Sequence, residues 1–297
     1  MIKTTPPAWL GCPVCQGPLD QTETGLHCPV DSLDFPLQDG IFRLLLPGEE
    51  EMADAYAEEY RRQREAQGWG PLTSEELVAL PEVAPPGWDP LYWPVRRQSY
   101  EALLAWIEAE TQAEETLQIA VMGAGFGWLA GRLAPRGHQV VALDLSLDDA
   151  FGLGAAREAL GSLSNPPALV QGDYERPPLR PGQVDLLIYS ASVHYAVDLK
   201  GCLQTAVALL RPGGAILVTD TPILTGDFTA MPPGEGQSPR RGRQLPLVEL
   251  EQALSGAGLA FEIQQVGRGW RWSIRQWRIR FFGGVGFTLP LIIARRR

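Results

Sequence analysis

The chain lacks most of the features that would place it outside the cytoplasm or tie it together covalently. Only four cysteines occur in 297 residues, and no basic, apolar leader opens the sequence, because Met1-Ile-Lys-Thr-Thr-Pro-Pro7 has no hydrophobic centre. Secretion and structural disulfides are therefore not expected, and a cytoplasmic location is. No apolar run is long enough to cross a bilayer. The longest late one, Phe281 to Ala294, is short and contains glycines and Pro290, so no membrane span is expected. Excess positive charge is missing too: the formal net charge of −10 argues against a general affinity for nucleic acid. Disorder is not indicated, since 45% of the residues are hydrophobic and the length permits one large core with a small addition.

What is present is concentrated in Leu117-Gln-Ile-Ala-Val-Met-Gly-Ala-Gly-Phe-Gly-Trp-Leu-Ala130, an apolar run that stops at three closely spaced glycines and continues with helical character. Gly123, Gly125 and Gly127 permit a sharp turn and close backbone approach, and the following helix offers unpaired N–H groups at its start. Such a turn serves nicotinamide, flavin and S-adenosylmethionine enzymes alike, and alone it is also compatible with plain turn chemistry. The next apolar run, Gln139-Val-Val-Ala-Leu-Asp144, ends in an acid suited to the two hydroxyls of a ribose; the structural alternative is a helix cap, with Ser146 and Asp148 crowding the same turn. A third run ends in Gly172-Asp173-Tyr174, where Asp173 either accepts from an adenine amino group or is a turn aspartate. Val184-Asp-Leu-Leu-Ile188 and Leu209-Leu-Arg-Pro-Gly-Gly214 mark two further strands.

In this order the motifs resemble class I S-adenosylmethionine-dependent methyltransferases of the methyltransferase type 11 kind, from about Ser99 to the C-terminus. The chain is most similar to a branch whose pattern includes Gly-Ala-Gly-Asn-Gly-Trp-Leu, Ala-Ser-Leu-His-Tyr and a late Asp-Ser-Pro, and it departs from that pattern at Phe126 and Thr221. The resemblance implies a doubly wound, mainly parallel, seven-stranded α/β sheet. It also implies S-adenosyl-L-methionine as cofactor, held by Gly123, Ala124, Gly125, Gly127, Asp144, Leu145, Asp173, Tyr174 and Ser190. At the end of the fourth strand of that sheet, Ser192, His194 and Tyr195 would face the transferred methyl. His194 is the candidate base, or else a histidine satisfied by local hydrogen bonds, and Tyr195 shapes the pocket.

The N-terminus carries Cys12-Pro-Val-Cys15 and, twelve residues on, Cys28-Pro-Val-Asp31. Paired ligands at this spacing form two knuckles around one zinc ion. The segment resembles the zinc ribbon that precedes the catalytic domain of bacterial ribosomal RNA guanine methyltransferases, and the Trm-type zinc-ribbon partners. The fourth cysteine or histidine is missing, so either Asp31 completes the set, with His27 as a substitute, or the ribbon no longer holds zinc. Cys202, on a helical segment, reads as a small buried hydrophobe.

The expected organisation is a ribbon over residues 1–47, a helical and irregular connection over 48–94 and the methyltransferase domain over 95–297. Tyr56 and Tyr60 lie four apart on one helical face of the connection, in a position to cover the site. The glycine- and proline-rich stretch from Leu224 to Pro246 suits a substrate lid. From Ile263 onward there are eight arginines and no acid. Trp270, Trp272 and Trp277 interleave with them, either as buried residues in an amphipathic connection between the last two strands or as a surface that stacks bases or meets an anionic partner. The acidic remainder of the chain favours a small-molecule acceptor over ribosomal RNA. A nicotinamide-dependent oxidoreductase or epimerase, and a nonenzymatic nucleotide-binding scaffold, are the other function classes the sequence leaves open.

Overall fold

The computed structural model of the protein describes residues 5–111, 115–224, 242–281 and 286–296. It begins with four short strands, β1 (Asp20–Gln21), β2 (Gly25–Cys28), β3 (Leu33–Gln38) and β4 (Ile41–Arg43), and continues into helices α1 (Glu50–Ala66), α2 (Ser74–Ala79) and α3 (Tyr92–Glu110). Strands and helices then alternate: β5 (Gln118–Met122), α4 (Trp128–Leu133), β6 (Gln139–Asp144), α5 (Leu153–Leu160), β7 (Ala168–Gln171), β8 (Val184–Ser190), α6 (Leu199–Leu209) and β9 (Leu210–Thr219). Short strands β10 (Ile223–Leu224) and β11 (Leu245–Pro246) precede α7 (Leu247–Gly256), β12 (Leu259–Gln264), α8 (Gly269–Phe281), β13 (Phe287–Thr288) and β14 (Leu291–Arg296).

The main sheet runs β1-β2-β3-β4-β7-β6-β5-β8-β9-β14-β12. From β7 to β9 the neighbours pair in parallel, while β14 is antiparallel to both β9 and β12. The last seven strands of that order are the expected doubly wound sheet. Its central strands β5, β6 and β8 are almost wholly buried because both faces are covered, whereas the edge strand β12 alternates buried and exposed residues. In β5, Ile119 and Val121 enter the core built with α3, α4 and α5, whereas Ala120 and Met122 enter the core built with α6 and α7. The order reverses between β5 and β8, which opens a crevice at their carboxyl ends.

Residues 1–47 were expected to form a separate ribbon, yet the ribbon strands continue the main sheet. Ile41, Phe42 and Arg43 pair in parallel with Leu169, Val170 and Gln171 of β7, and Leu10 bridges Leu179 in the loop beyond β7. Trp9, Phe35 and Phe42 are each no more than 2% exposed and share one core with the sheet, and burying an aromatic ring of Phe size is worth about 2–3 kcal/mol. The connection after the ribbon is also more regular than its composition suggests. Thr73 Oγ1 accepts from the Glu76 N–H at 3.2 Å while the Glu76 carboxylate accepts from the Thr73 N–H at 2.9 Å, a reciprocal cap that starts α2.

Of the two alternatives for the α8 tryptophans, burial does not hold for Trp270 and Trp277. Trp270 and Trp277 are 69% and 62% exposed, and Ile274 between them is 48% exposed. Helix α8 lies between β12 and β14 in the chain but turns only part of its surface inward: Trp272 packs edge-on against Phe287 at 5.6 Å, and Gln276 is buried. The expected lid over 224–246 falls largely outside the described residues, which resume at Gly242. Among the described residues no helix is long and apolar enough to cross a membrane.

Candidate active site

The glycine turn closes over the carboxyl end of β5. The N–H groups of Gly123 and Ala124 both donate to Leu143 O at 2.9 Å, and the Gly125 N–H donates to Asp144 Oδ2 at 2.7 Å. Gly123, Gly125 and Gly127 all have φ between 55° and 74°, a region that L side chains rarely adopt. At Gly123 an added Cβ would lie 2.6 Å from Ser192 Cβ, so the turn sits tightly against the end of β8. Ser192 fixes that approach by donating from Oγ to Met122 O at 2.5 Å. Trp128 opens α4 directly behind the turn, leaving its first N–H groups toward the crevice.

Asp144 closes β6 and is not the cap of α5, which begins nine residues later. Its second oxygen accepts from the Ser146 N–H at 2.8 Å. With Leu145 adding a third backbone N–H, the two oxygens still keep acceptor capacity toward the cleft. Burial pushes this carboxyl up to about 6, the three backbone N–H donors opposing but not cancelling that rise. The cleft in front of it, about 460 Å³ including its open mouth, is walled by Tyr56 and Tyr60 of α1, Leu145, Phe151, Tyr174 and Tyr195. Helix α1 therefore covers the crevice, as the spacing of its tyrosines suggested. Tyr174 donates to Ser192 O at 3.1 Å. Asp173 lies behind it, buried, with Oδ1 accepting from the Glu175 N–H at 2.9 Å, which is turn geometry. Phe126 joins Trp88 and Trp93 in an aromatic cluster and is 8% exposed, so where the resembling branch has a polar side chain this chain has a core residue.

A larger chamber of some 1500 Å³, including its open mouth, adjoins the cleft; Ala191 and Tyr195 line both. His194 lies on the chamber wall, 8% exposed, with Nδ1 unpartnered. Burial, and then Arg64, Arg96 and Arg243, depress its pKa to about 3, so the imidazole is neutral at physiological pH. Ser190 sits at the end of β8 and its Oγ donates to Asp220 Oδ2 at 3.5 Å. Arg64, Arg96, Asp220 and Arg243, none of them a candidate from the sequence, also line the chamber, together with Arg275 of the C-terminal arginine group. One signal was legible: Tyr60 and Arg64, and again Tyr92 and Arg96, are four residues apart on α1 and α3. Each guanidinium stacks on the ring one turn earlier, at 4.5 Å and 4.7 Å from the centroid.

At the far end of the sheet, Cys12, Cys15, Cys28 and Asp31 bring one ligand atom each to within 4.8 Å of one another. The Cys12 and Cys28 sulfurs lie 3.1 and 3.2 Å from Asp31 Oδ2, and Cys15 Sγ lies 3.6 Å from Cys28 Sγ. Ligands at about 2.3 Å from zinc stand roughly 3.8 Å apart in a tetrahedron, so this set fits the ion after small shifts. The Val14 and Asp31 N–H groups donate to the Cys12 and Cys28 sulfurs, which suits thiolates. His27 is not the fourth ligand: it pairs with Asp34 at 2.8 Å. Cys202 is buried in α6, as expected of a small hydrophobe.

Comparison with known proteins agrees with this geometry. A family model described as a methyltransferase domain matches residues 120–218, and one described as Trm112p-like protein matches residues 10–40. The tRNA 5-carboxymethoxyuridine methyltransferase of Escherichia coli strain K12 is 32% identical over 108 residues, 34% of this chain and 39% of that protein. The chain thus spans about two fifths of the length of that relative. A UPF0434 protein of Methylibium petroleiphilum is 53% identical over 34 residues, 11% of this chain and 52% of that protein. Among solved structures, Burkholderia thailandensis 1,6-didemethyltoxoflavin-N1-methyltransferase superposes with a TM-score of 0.52 at 16% identity, over 85% of this chain and 92% of that one.

The fold and the matched segment are those of an S-adenosylmethionine-dependent methyltransferase domain over residues 120–218. A Trm112p-like, zinc-ribbon-like segment over residues 10–40 is built onto the edge of its sheet.

Proposed function

We propose that the protein transfers a methyl group from S-adenosyl-L-methionine to a small-molecule acceptor seated in the chamber beside the cofactor cleft. The observation that carries this reading is the meeting of the two spaces at Ala191 and Tyr195, with the glycine turn and Asp144 on one side and a wall carrying Arg64, Arg96, His194 and Asp220 on the other. Gly123, Ala124, Gly125 and Gly127 would lie along the cofactor's chain, Asp144 would accept from its ribose hydroxyls, and Leu145, Tyr174 and Ser190 would border it, with Asp173 behind. The bound cofactor supplies a methyl on a sulfonium, already attached to a good leaving group, so the protein's contribution is alignment and exclusion of water. Helix α1 serves the second purpose by closing over the cleft.

His194 has a place in this reading as a neutral wall residue that orients the acceptor by hydrogen bonding, because a group with so depressed a pKa is a weak proton acceptor. The test of the whole reading is thermal shift and calorimetry with S-adenosylmethionine, S-adenosylhomocysteine and NAD. Both adenosyl ligands raise the melting temperature with concentration and the dinucleotide does not; no response at millimolar adenosyl ligand rejects it.

A second reading, an RNA acceptor, is favoured by the exposed Trp270, Ile274 and Trp277 beside Arg271 and Arg278, and by the tRNA methyltransferase among the relatives. Incubating cell extract with labelled S-adenosylmethionine and separating RNA, protein and small molecules decides between the two acceptors.

A further inference from the structure

The chamber wall is electrostatically unbalanced. Four guanidiniums line it, and two of them are neutralised: Arg275 pairs with Asp89 at 2.6 Å, and Arg243 meets Glu249 through two contacts of 2.5 and 2.8 Å. Arg64 and Arg96 have no carboxylate within ion-pair distance among the described residues. Arg64 donates instead to Tyr195 Oη and Gln67 Oε1, each at 2.9 Å, and Arg96 donates to Tyr92 Oη at 2.5 Å. The remaining acid of the wall, Asp220, is buried and accepts from Ser99 Oγ at 2.5 Å and from Ser190 Oγ at 3.5 Å. The Nε atoms of Arg64 and Arg96, and Nδ1 of His194, are buried with no hydrogen-bond partner. Unpaired donors of this kind are costly when left buried.

The two guanidiniums are also held in place. Arg64 lies over Tyr60 at 4.5 Å and over Trp69 at 4.8 Å, and Arg96 lies over Tyr92 at 4.7 Å and over Trp93 at 5.6 Å. Stacking fixes the plane of each fork while leaving its edge free to donate, an arrangement suited to planar or tetrahedral oxyanions. The two come from different helices, α1 and α3, and both border the same chamber as Ala191 and Tyr195, where it meets the cofactor cleft.

We infer that the acceptor carries an oxyanion, a carboxylate or a phosphate, held between Arg64 and Arg96. This deepens the methyltransferase reading and rests on it for the identity of the chamber as the acceptor site. Asp220 on the same wall interacts electrostatically with Arg96, but it makes no direct ion pair with it, and Arg64 has no such carboxylate partner among the described residues, so an oxyanion would complete the pairing of both guanidiniums.

The experiment titrates the protein, saturated with S-adenosylhomocysteine, with benzoate, phenyl phosphate and the neutral benzyl alcohol, reading heat and melting temperature. At least one anion binds and benzyl alcohol does not, and the stronger of the two anions identifies the acceptor's group. Arg64→Gln and Arg96→Gln each weaken that anion about tenfold or more, the loss of a charged hydrogen-bonding partner, while S-adenosylhomocysteine affinity stays within about twofold and reports that the variant is folded. Arg64→Lys recovers only part of the affinity, since the charge returns without the stacked fork. The inference is overturned if neither anion exceeds benzyl alcohol, or if both glutamine variants bind the anion as wild type does. Failure of S-adenosylhomocysteine to bind wild type is a separate outcome: it removes the methyltransferase reading, and the same titrations in its absence still decide the anion site.

Discussion

Asp144 shows how a residue that ties the fold together would, under the proposed function, also serve a ligand. It ties the glycine turn to the end of β6 through the Gly125 N–H, and this role was hidden behind a capping role that the residues Ser146 and Asp148 also suggested. Replacing it with Ala should weaken S-adenosylhomocysteine by about 1–3 kcal/mol, measured by calorimetry, as charged hydrogen bonds to the ribose are lost. Its pKa adds a pH dependence with a definite sign. Raised from 3.8 to about 6 in the folded state, the carboxyl favours folding when protonated. Its contribution is therefore full below about pH 4 and lost as pH rises through about 6, by about 3 kcal/mol in all. Cofactor affinity runs the other way, because the ionised form accepts from both hydroxyls, and it should fall about tenfold per pH unit below 6. Asp144→Asn removes both trends, and a wild-type-like pH profile in that variant would count against the assignment. His194 has the opposite linkage: depressed to about 3 from 6.5, it contributes stability above pH 6.5 that is lost as pH falls toward 3. His194→Gln should flatten that acid limb in urea titrations.

At the scale of elements, the sheet was legible and the edges of the site were not. Buried parallel strands announce themselves by continuous apolar runs ending in turns, and Gln139 to Asp144 ends as a strand where its run ends. The strand that begins at Val184 stops at Ser190 and leaves His194 and Tyr195 in a 3-10 turn beyond it. The chamber was not legible because its wall is assembled from α1, α3 and α8 across long sequence separations, and an arginine bordering a cavity looks like any surface arginine. Helix α8 is the sharpest case. Its tryptophans share one composition but divide by helical position: Trp270, Ile274 and Trp277 recur at i, i+4 and i+7 and face outward, while Trp272 and Gln276 turn in. Trp270→Ala with Trp277→Ala should therefore leave urea stability within about 0.5 kcal/mol of wild type, whereas Trp272→Ala should cost about 1–3 kcal/mol through lost packing on Phe287. If the RNA reading holds, the first pair of substitutions lowers RNA affinity; if the small-molecule reading holds, it leaves turnover unchanged.

Across the whole molecule, the ribbon and the sheet share one hydrogen-bonded framework, so the fate of a metal at one end bears on stability at the other. The knuckle that holds Cys12 and Cys15 lies next to Trp9 and Leu10, which anchor to the loop beyond β7. The knuckle with Cys28 and Asp31 leads directly into β3, and from there through β4 into β7, after which Tyr174 borders the cleft proposed for the cofactor. Zinc at Cys12, Cys15, Cys28 and Asp31 would cross-link both ends of this path, and its binding energy is drawn only in the folded state. Purified protein should contain close to one zinc per chain by elemental analysis. Chelation should lower the melting temperature of the whole protein in a single transition, because a sheet continuous across the two parts unfolds as one unit. Asp31→Cys, completing a four-sulfur set, should resist the chelator longer than wild type. A metal content near zero from zinc-replete cells would show instead that thiol and carboxylate hydrogen bonds hold the knuckles unaided. In that case Asp31→Ala, not chelation, is the change that loosens β3 and β4 and lowers the melting temperature.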